Sequence, residues 1–83
     1  MIAMLQIKTD KNKDISVKIT YEGSKALVSF YHNSYFISQY YADTLLEDKV
    51  VNGLCLDGGQ RQFDVDVFAM WKVVKFIKVT LNK

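Results

Sequence analysis

The chain contains no proline, only four glycines and a single cysteine. Without proline, turns have to be sought at Asn, Asp and Gly. With one cysteine, Cys55, no internal disulfide can form. The oxidising surroundings on which small secreted domains rely are therefore not implied, and an intracellular, cytoplasmic setting is expected. One histidine and one cysteine also fall short of the roughly four His or Cys ligands of a structural zinc site, which excludes that site by count. The formal net charge is +2, too small to mark a polyanion-binding protein on charge alone. No apolar run approaches the length of a membrane span. Met1 to Ile7 shows no basic leader, no apolar stretch of signal-peptide length and no small-residue cleavage signal, which argues against export and membrane insertion. Internal repeats and low-complexity tracts are missing as well.

What is present reads as one small domain. The 83 residues are too few for separate cores, and a chain this short buries only about 60 to 65% of its unfolded surface. Most apolar side chains are then needed for packing, with few left to line a deep pocket. Apolar types make up 49% of the sequence and charged types 24%, an ordinary globular balance that predicts folding rather than disorder. Charge is unevenly placed. Residues 42–66 hold Asp43, Glu47, Asp48, Asp57, Asp64 and Asp66 against Lys49 and Arg61, whereas residues 71–83 hold four lysines and no acid.

Periodicity points to strands. Ile15, Val17, Ile19 and Tyr21 alternate with Ser16, Lys18 and Thr20 in the period of a half-buried strand. Asp10 to Asp14 separates it from an earlier apolar strand over Met1 to Thr9, and Glu22, Gly23 and Ser24 form the next turn. Lys25 to Tyr31 carries apolar area on both faces, as a central strand does. His32, Asn33 and Ser34 interrupt it, and Tyr35 to Tyr41 follows with the aromatic and β-branched types that suit a pleated sheet. Ala42 to Asp48 predicts one or two helical turns, capped by Asp43 and carrying Leu45 and Leu46 inward. Val50 to Leu56 reads as a strand with a bulge at Gly53, then a hairpin at Gly58 and Gly59 returning through Arg61 to Val65.

The last segment supports two patterns. Val67, Met70, Trp71, Val74, Ile77 and Leu81 have helical spacing, while Val73, Ile77, Val79 and Leu81 have strand spacing. The β-branched run Val73, Val74, Ile77, Val79 and Thr80 favours a helical turn over Val67 to Met70 and a closing strand from Trp71 to Leu81, with a C-terminal helix as the rival. The expected fold class is mostly β: a small SH3-like or Sm-like barrel, or a curled antiparallel sheet, of six or seven short strands with one short helical turn.

Gly53-Leu54-Cys55-Leu56, a glycine turn, and then Arg61-Gln62-Phe63-Asp64-Val65-Asp66 resemble the closing hairpin of WYL-type ligand-sensing domains, which share a small Sm-like barrel. The resemblance covers residues 53–74, about a quarter of the chain, and does not include the Trp-Tyr-Leu triplet for which the family is named. It implies a final strand over Trp71 to Leu81 and a phosphate or nucleotide contact at Arg61, since a guanidinium suits bidentate recognition of an anion. Taken without the resemblance, Arg61 is a solvated strand residue.

Catalytic chemistry has little to build on. A nucleophilic dyad needs a base beside a thiol or hydroxyl, and only His32 with Cys55 or a serine is on offer, in no recognisable frame. Cys55 between Leu54 and Leu56 reads as a small core residue, and His32 beside Asn33 as an exposed turn residue. Asp57, Asp64 and Asp66 fit no calcium-loop pattern, and Asp57-Gly58-Gly59-Gln60 lacks the Lys of a phosphate-binding loop. No enzyme, metal or cofactor is expected.

The distinctive stretch is Phe30 to Tyr41, which contains Phe30, Tyr31, Tyr35, Phe36, Tyr40 and Tyr41. Phe30, Phe36 and Ile37 are expected in the core, leaving Tyr31, Tyr35, Tyr40 and Tyr41, with His32 and Asn33, as a candidate partner-binding surface. Tyrosine among small polar residues offers large contact area at small entropic cost, which suits a protein partner or a second copy of the chain. The expectation is a non-enzymatic interaction module, such as a small inhibitor or adaptor from a phage or mobile element. The alternative is a barrel that binds single-stranded nucleic acid or a nucleotide through the same tyrosines. Arg61 and the lysines Lys72, Lys75 and Lys78 would then supply the positive charge, because no basic residue lies between Lys25 and Lys49.

Overall fold

Alternation in Ile15, Val17 and Ile19 makes a strand with one apolar face, and such a strand is stable only beside others that turn the same face to a common cover. The computed structural model, which describes residues 2–9, 12–54 and 65–82, arranges four such strands as an open antiparallel meander. They are β1 (Ala3–Lys8), β2 (Asp14–Glu22), β3 (Lys25–His32) and β4 (Tyr35–Tyr41), in spatial order β1-β2-β3-β4. Three helices follow: α1 (Ala42–Leu45), α2 (Asp48–Leu54) and α3 (Val67–Leu81).

The turns are as tight as their residues permit. Glu22 pairs with Lys25 across Gly23 and Ser24, and Gly23 takes φ +65, a left-handed value that costs glycine nothing. His32 pairs with Tyr35 across Asn33 and Ser34, both at positive φ (50 and 73), as a type I′ turn demands. Asn tolerates that region. Ser34 carries a Cβ into it and is strained.

One face of the sheet is core. Ile7, Ile15, Val17, Ile19, Val28 and Phe30 are buried there, with Leu5, Ala26, Ile37 and Tyr40 packed around them. The helices cover that face with Ala42 and Leu45 of α1, Val51 of α2, and Ala69, Met70, Val73, Val74 and Ile77 of α3. Contacts order the layer: α3 touches β1, α1 touches β3 and β4, and α2 bridges α1 and α3.

Three expectations are corrected. The sheet has four strands among the described residues rather than six or seven, and β1 and β4 are its two edges, so no barrel closure is seen. Val50 to Leu54 belongs to α2, not to a strand, and Gly53 lies inside that helix rather than at a bulge. The closing strand over Trp71 to Leu81 is instead the body of α3. Helix propensity separates β-branched residues from alanine by only about 0.7 kcal/mol at most. Burying a Val, Ile or Met side chain contributes about 1.5 to 3 kcal/mol, so the buried stripe Met70, Val73, Val74 and Ile77 decides the conformation. The proposed hairpin at Gly58 and Gly59, with Cys55, Asp57, Arg61 and Asp64, lies outside the described residues.

Capping also departs from expectation. Asp43 is an exposed first-turn residue of α1, whose N-cap is Tyr41 without a side-chain bond. Asp66, by contrast, is the N-cap of α3, accepting from the Ala69 N–H at 2.7 Å. Asp66→Ala should cost about 1 kcal/mol of stability, while Asp66→Ser should cost less, as chemical denaturation would show. Ser34→Gly should raise stability by about 1 kcal/mol by relieving the left-handed Cβ, and a fall in the denaturation midpoint would refute that account of the turn.

Candidate interaction surface

The second face of the meander has no helical cover among the described residues. Residues directly opposed in an antiparallel pair share a face, so the register assigns its members. From β1 come Met4, Gln6 and Lys8, from β2 Ser16, Lys18 and Thr20, and from β3 Leu27, Ser29 and Tyr31. Strand β4 adds Phe36, Gln39 and Tyr41.

A bulge decides which aromatics of β4 appear there. Phe30 pairs with Ser38 but Tyr31 pairs with Phe36, so Ile37 is an extra residue and the alternation slips at that point. Ile37 packs toward the core, and Phe36, which simple alternation places inside, is turned out beside Tyr31 and left 55% exposed. The Tyr31 and Phe36 rings meet edge to face at 5.7 Å and 74°. The same slip leaves the Ser38 hydroxyl buried with no hydrogen-bond partner among the described residues.

Lysines complete the surface. Ser16 lies opposite Tyr31, so Lys18 is its diagonal neighbour, with Nζ 4.6 Å from the Tyr31 ring centroid. Lys25 sets its Nζ 5.2 Å from the Tyr41 ring. The Tyr41 hydroxyl donates to the Glu22 carboxylate at 2.8 Å. That hydrogen bond first, the Glu22 charge second and partial burial third raise the Tyr41 phenol above the ordinary tyrosine value. The centre is small and close-packed: Ser29 is buried between its neighbours and donates to Gln39 Oε1 at 3.4 Å.

Depressions on this side are shallow. One of about 230 Å³ is lined by Met4, Gln6, Ser16, Lys18, Tyr31 and Ser34. Another of about 340 Å³ lies toward Asp14, Asn33 and Ser34. Both sit at or below the low end of the roughly 300 to 1,000 Å³ typical of small-molecule sites, which makes the feature a surface rather than a pocket. Among the described residues no three His, Cys, Asp or Glu side chains group closely enough to hold a metal ion. Nor is any helix among them long and apolar enough to cross a membrane.

The six residues anticipated as a contact surface do not stay together. Tyr31 and Tyr41 are on the open face. Tyr40 turns the other way and packs its ring edge-on against Phe30 at 6.2 Å, because Val28, its opposite residue, is core. His32 is the half-buried last residue of β3, opposite Ile15, and not a turn residue. Asn33 is in the turn itself, and Tyr35 beyond it is 78% exposed at the start of β4. Lys72, Lys75 and Lys78 are exposed on α3, whose buried stripe covers the core face, so they lie across the core from Tyr31. Arg61 lies outside the described residues.

Met4, Lys18, Lys25, Leu27 and Phe36 were not anticipated at this surface. Lys18 and Lys25 were legible as polar positions of strands, but only the pairing of β2 and β4 with β3 sets them against tyrosines. No family model, curated protein or solved structure matches the chain.

Because the neutral phenol is the favoured form beside Glu22, this contact stabilises the fold below the ordinary tyrosine pKa. Its contribution is lost as pH rises through the raised value. Glu22→Gln should therefore lower the Tyr41 pKa toward that of a free tyrosine in an NMR or ultraviolet titration. An unchanged value would show that Glu22 is not the cause.

Proposed function

We propose that the chain is a non-enzymatic interaction module that engages a protein partner through the open face of its sheet. The observation that carries this reading is a sheet face that no described element covers, with the Tyr31–Phe36 pair, Met4 and Tyr41 exposed or half-exposed on it. Met, Phe and Tyr are the types enriched at the centres of protein interfaces, and Gln6, Ser16, Thr20 and Gln39 supply a polar complement. The rings are already held by neighbours, Tyr31 by Lys18 and Phe36, Tyr41 by Lys25 and Glu22, so little side-chain entropy remains to be lost on binding. A chain of this size suits an inhibitor or adaptor that acts by occupying a partner's surface, and a phage or mobile element inside a cell is the setting we favour.

A second reading rests on the lysines. Aromatic rings with cations alongside are the pattern of single-strand binders, and the sheet brings Lys18 to Tyr31 and Lys25 to Tyr41. Against it, Glu22 and Asp14 border the same face, and Lys72, Lys75 and Lys78 are on the wrong side of the molecule to follow the same strand.

The test is a photoreactive residue placed at position 36 and, as a control, at Val79 on α3. Crosslinking in the source cells should join a protein to position 36 and not to 79, and Phe36→Ala or Tyr31→Ala should then weaken binding of that protein by about 2 kcal/mol each. Equal yield at both positions, or binding indifferent to both alanines, would sink the proposal. Salt-sensitive capture of a fluorescent oligonucleotide, with a log–log slope of about −0.7 per phosphate neutralised, would favour the second reading.

A further inference from the structure

The outward side of α3 is a ridge that the core does not use. At 3.6 residues per turn, Phe68, Lys72, Lys75 and Val79 fall in one line along the helix, with Trp71 and Lys78 beside it. The buried stripe of Met70, Val73, Val74 and Ile77 lies on the opposite side. All six ridge residues are exposed, Phe68 at 82% and Val79 at 68%. Two kinds of group therefore share one surface: Phe68, Trp71 and Val79 are apolar, and Lys72, Lys75 and Lys78 are cationic.

The charge on this ridge is of one sign. Helix α3 contains no acidic residue, and none of its three lysines is ion-paired among the described residues. Asp66, the acid next to it in the chain, is engaged as N-cap by the Ala69 N–H. A second feature adjoins the lysines. On the flank of α3 a depression of about 320 Å³ is made mainly apolar by Leu46, Ile77 and Leu81, with Lys78 and Asn82 completing its lining. A cation thus stands beside an apolar concavity as well as among exposed rings.

We propose that α3 docks flat on an anionic phospholipid surface, with Lys72, Lys75 and Lys78 among the headgroups and Phe68, Trp71 and Val79 entering the layer beneath them. Charge complementarity commits the ridge to an anion, and its apolar residues choose among anions. A bilayer presents negative headgroups with hydrocarbon just below, so both kinds of group are met from one side. Lysine stems lie along apolar surface while their ammonium ends stay at headgroup level. A nucleic acid would satisfy the lysines and leave Val79 against a charged backbone. Helix α3 also has no arginine, whose planar fork fixes phosphates and carboxylates in place. Compact ammonium charges without fixed partners suit headgroups that move laterally, and the depression beside Lys78 gives apolar room to the upper part of one acyl chain. The open sheet face lies across the core from α3, so a molecule held this way keeps Tyr31 and Phe36 turned away from the bilayer. The docking uses no residue of that face and does not rest on the protein-binding reading.

Trp71 is the only tryptophan of the chain, so its fluorescence reports on this ridge directly. The full chain is titrated with vesicles of phosphatidylcholine alone and of phosphatidylcholine mixed with phosphatidylserine. The mixed vesicles should shift Trp71 emission to the blue and carry the chain down in co-sedimentation, and the neutral ones should do neither. Lys72→Gln, Lys75→Gln and Lys78→Gln should each weaken binding about fivefold, and the three together about a hundredfold. Phe68→Ala should weaken it about tenfold. These side chains are exposed, so the variants should fold, which circular dichroism checks. Lys18→Gln on the open sheet face should leave binding within about twofold of the wild type. No emission shift with either vesicle, equal binding to the neutral ones, or indifference to the lysine substitutions or to Phe68→Ala overturns the proposal. So does a single-stranded oligonucleotide that shifts Trp71 and displaces the vesicles, which would assign the ridge to nucleic acid. Crosslinking at position 36 reads the opposite side of the molecule, so the protein-binding reading can fail or stand separately.

Discussion

The fold depends on a stripe of α3 meeting one face of a meander. A four-stranded antiparallel sheet with Ile15, Val17, Ile19, Val28 and Phe30 on one side has a large apolar surface and no cover of its own. Met70, Val73, Val74 and Ile77 supply most of that cover from a single helix, with Leu45 and Val51 completing it. All of these are fully or almost fully buried, and each contributes about 1.5 to 3 kcal/mol, more than any conformational preference opposing it. The helix starts where Asp66 can cap it. Because all three helices of the described residues pack on one face, no described element covers the other.

What that open face displays follows from a local irregularity. Strand β4 has one residue more than its partner between Ser38 and Phe36, and the slip exchanges the environments of Phe36 and Ile37. A large ring is moved from the core side to the surface, where it meets Tyr31. The accompanying burial of a Ser38 hydroxyl that has no partner among the described residues runs against stability, since such a group costs about 1 to 3 kcal/mol. The bulge also disables β4 as an edge, leaving β1 as the regular one. One extra residue thus shapes both the open face and the asymmetry of the sheet.

The strands were legible because a half-buried strand writes its period directly into the chain: β4 spans Tyr35–Tyr41 as expected, and β2 and β3 differ by a residue or two at their ends. The segments after Tyr41 were less legible. Their β-branched residues favour strand locally, whereas burial against the sheet, a non-local term, favours helix. A local signal for α3 does exist in Asp66, which stands immediately before the apolar run that begins at Val67, but the β-branched composition of that run points the other way. Of the anticipated contact residues, Tyr31 and Tyr41 were placed by alternation alone, while Tyr40 was lost to the core by the same rule.

By itself, then, the amino-acid sequence determined the meander, its two tight turns, the absence of an internal disulfide, and a concentration of aromatic residues in β3 and β4. These are properties of neighbours in the chain: alternation, turn chemistry and composition. Tertiary structure alone decided that residues 71–81 continue the helix begun at Val67, that Phe36 faces outward, and that Lys18 and Lys25 stand beside Tyr31 and Tyr41. Each of those depends on pairing or burial between residues far apart in sequence. A free energy of that kind cannot be read from a local window, and here it exceeded the local preference wherever the two disagreed.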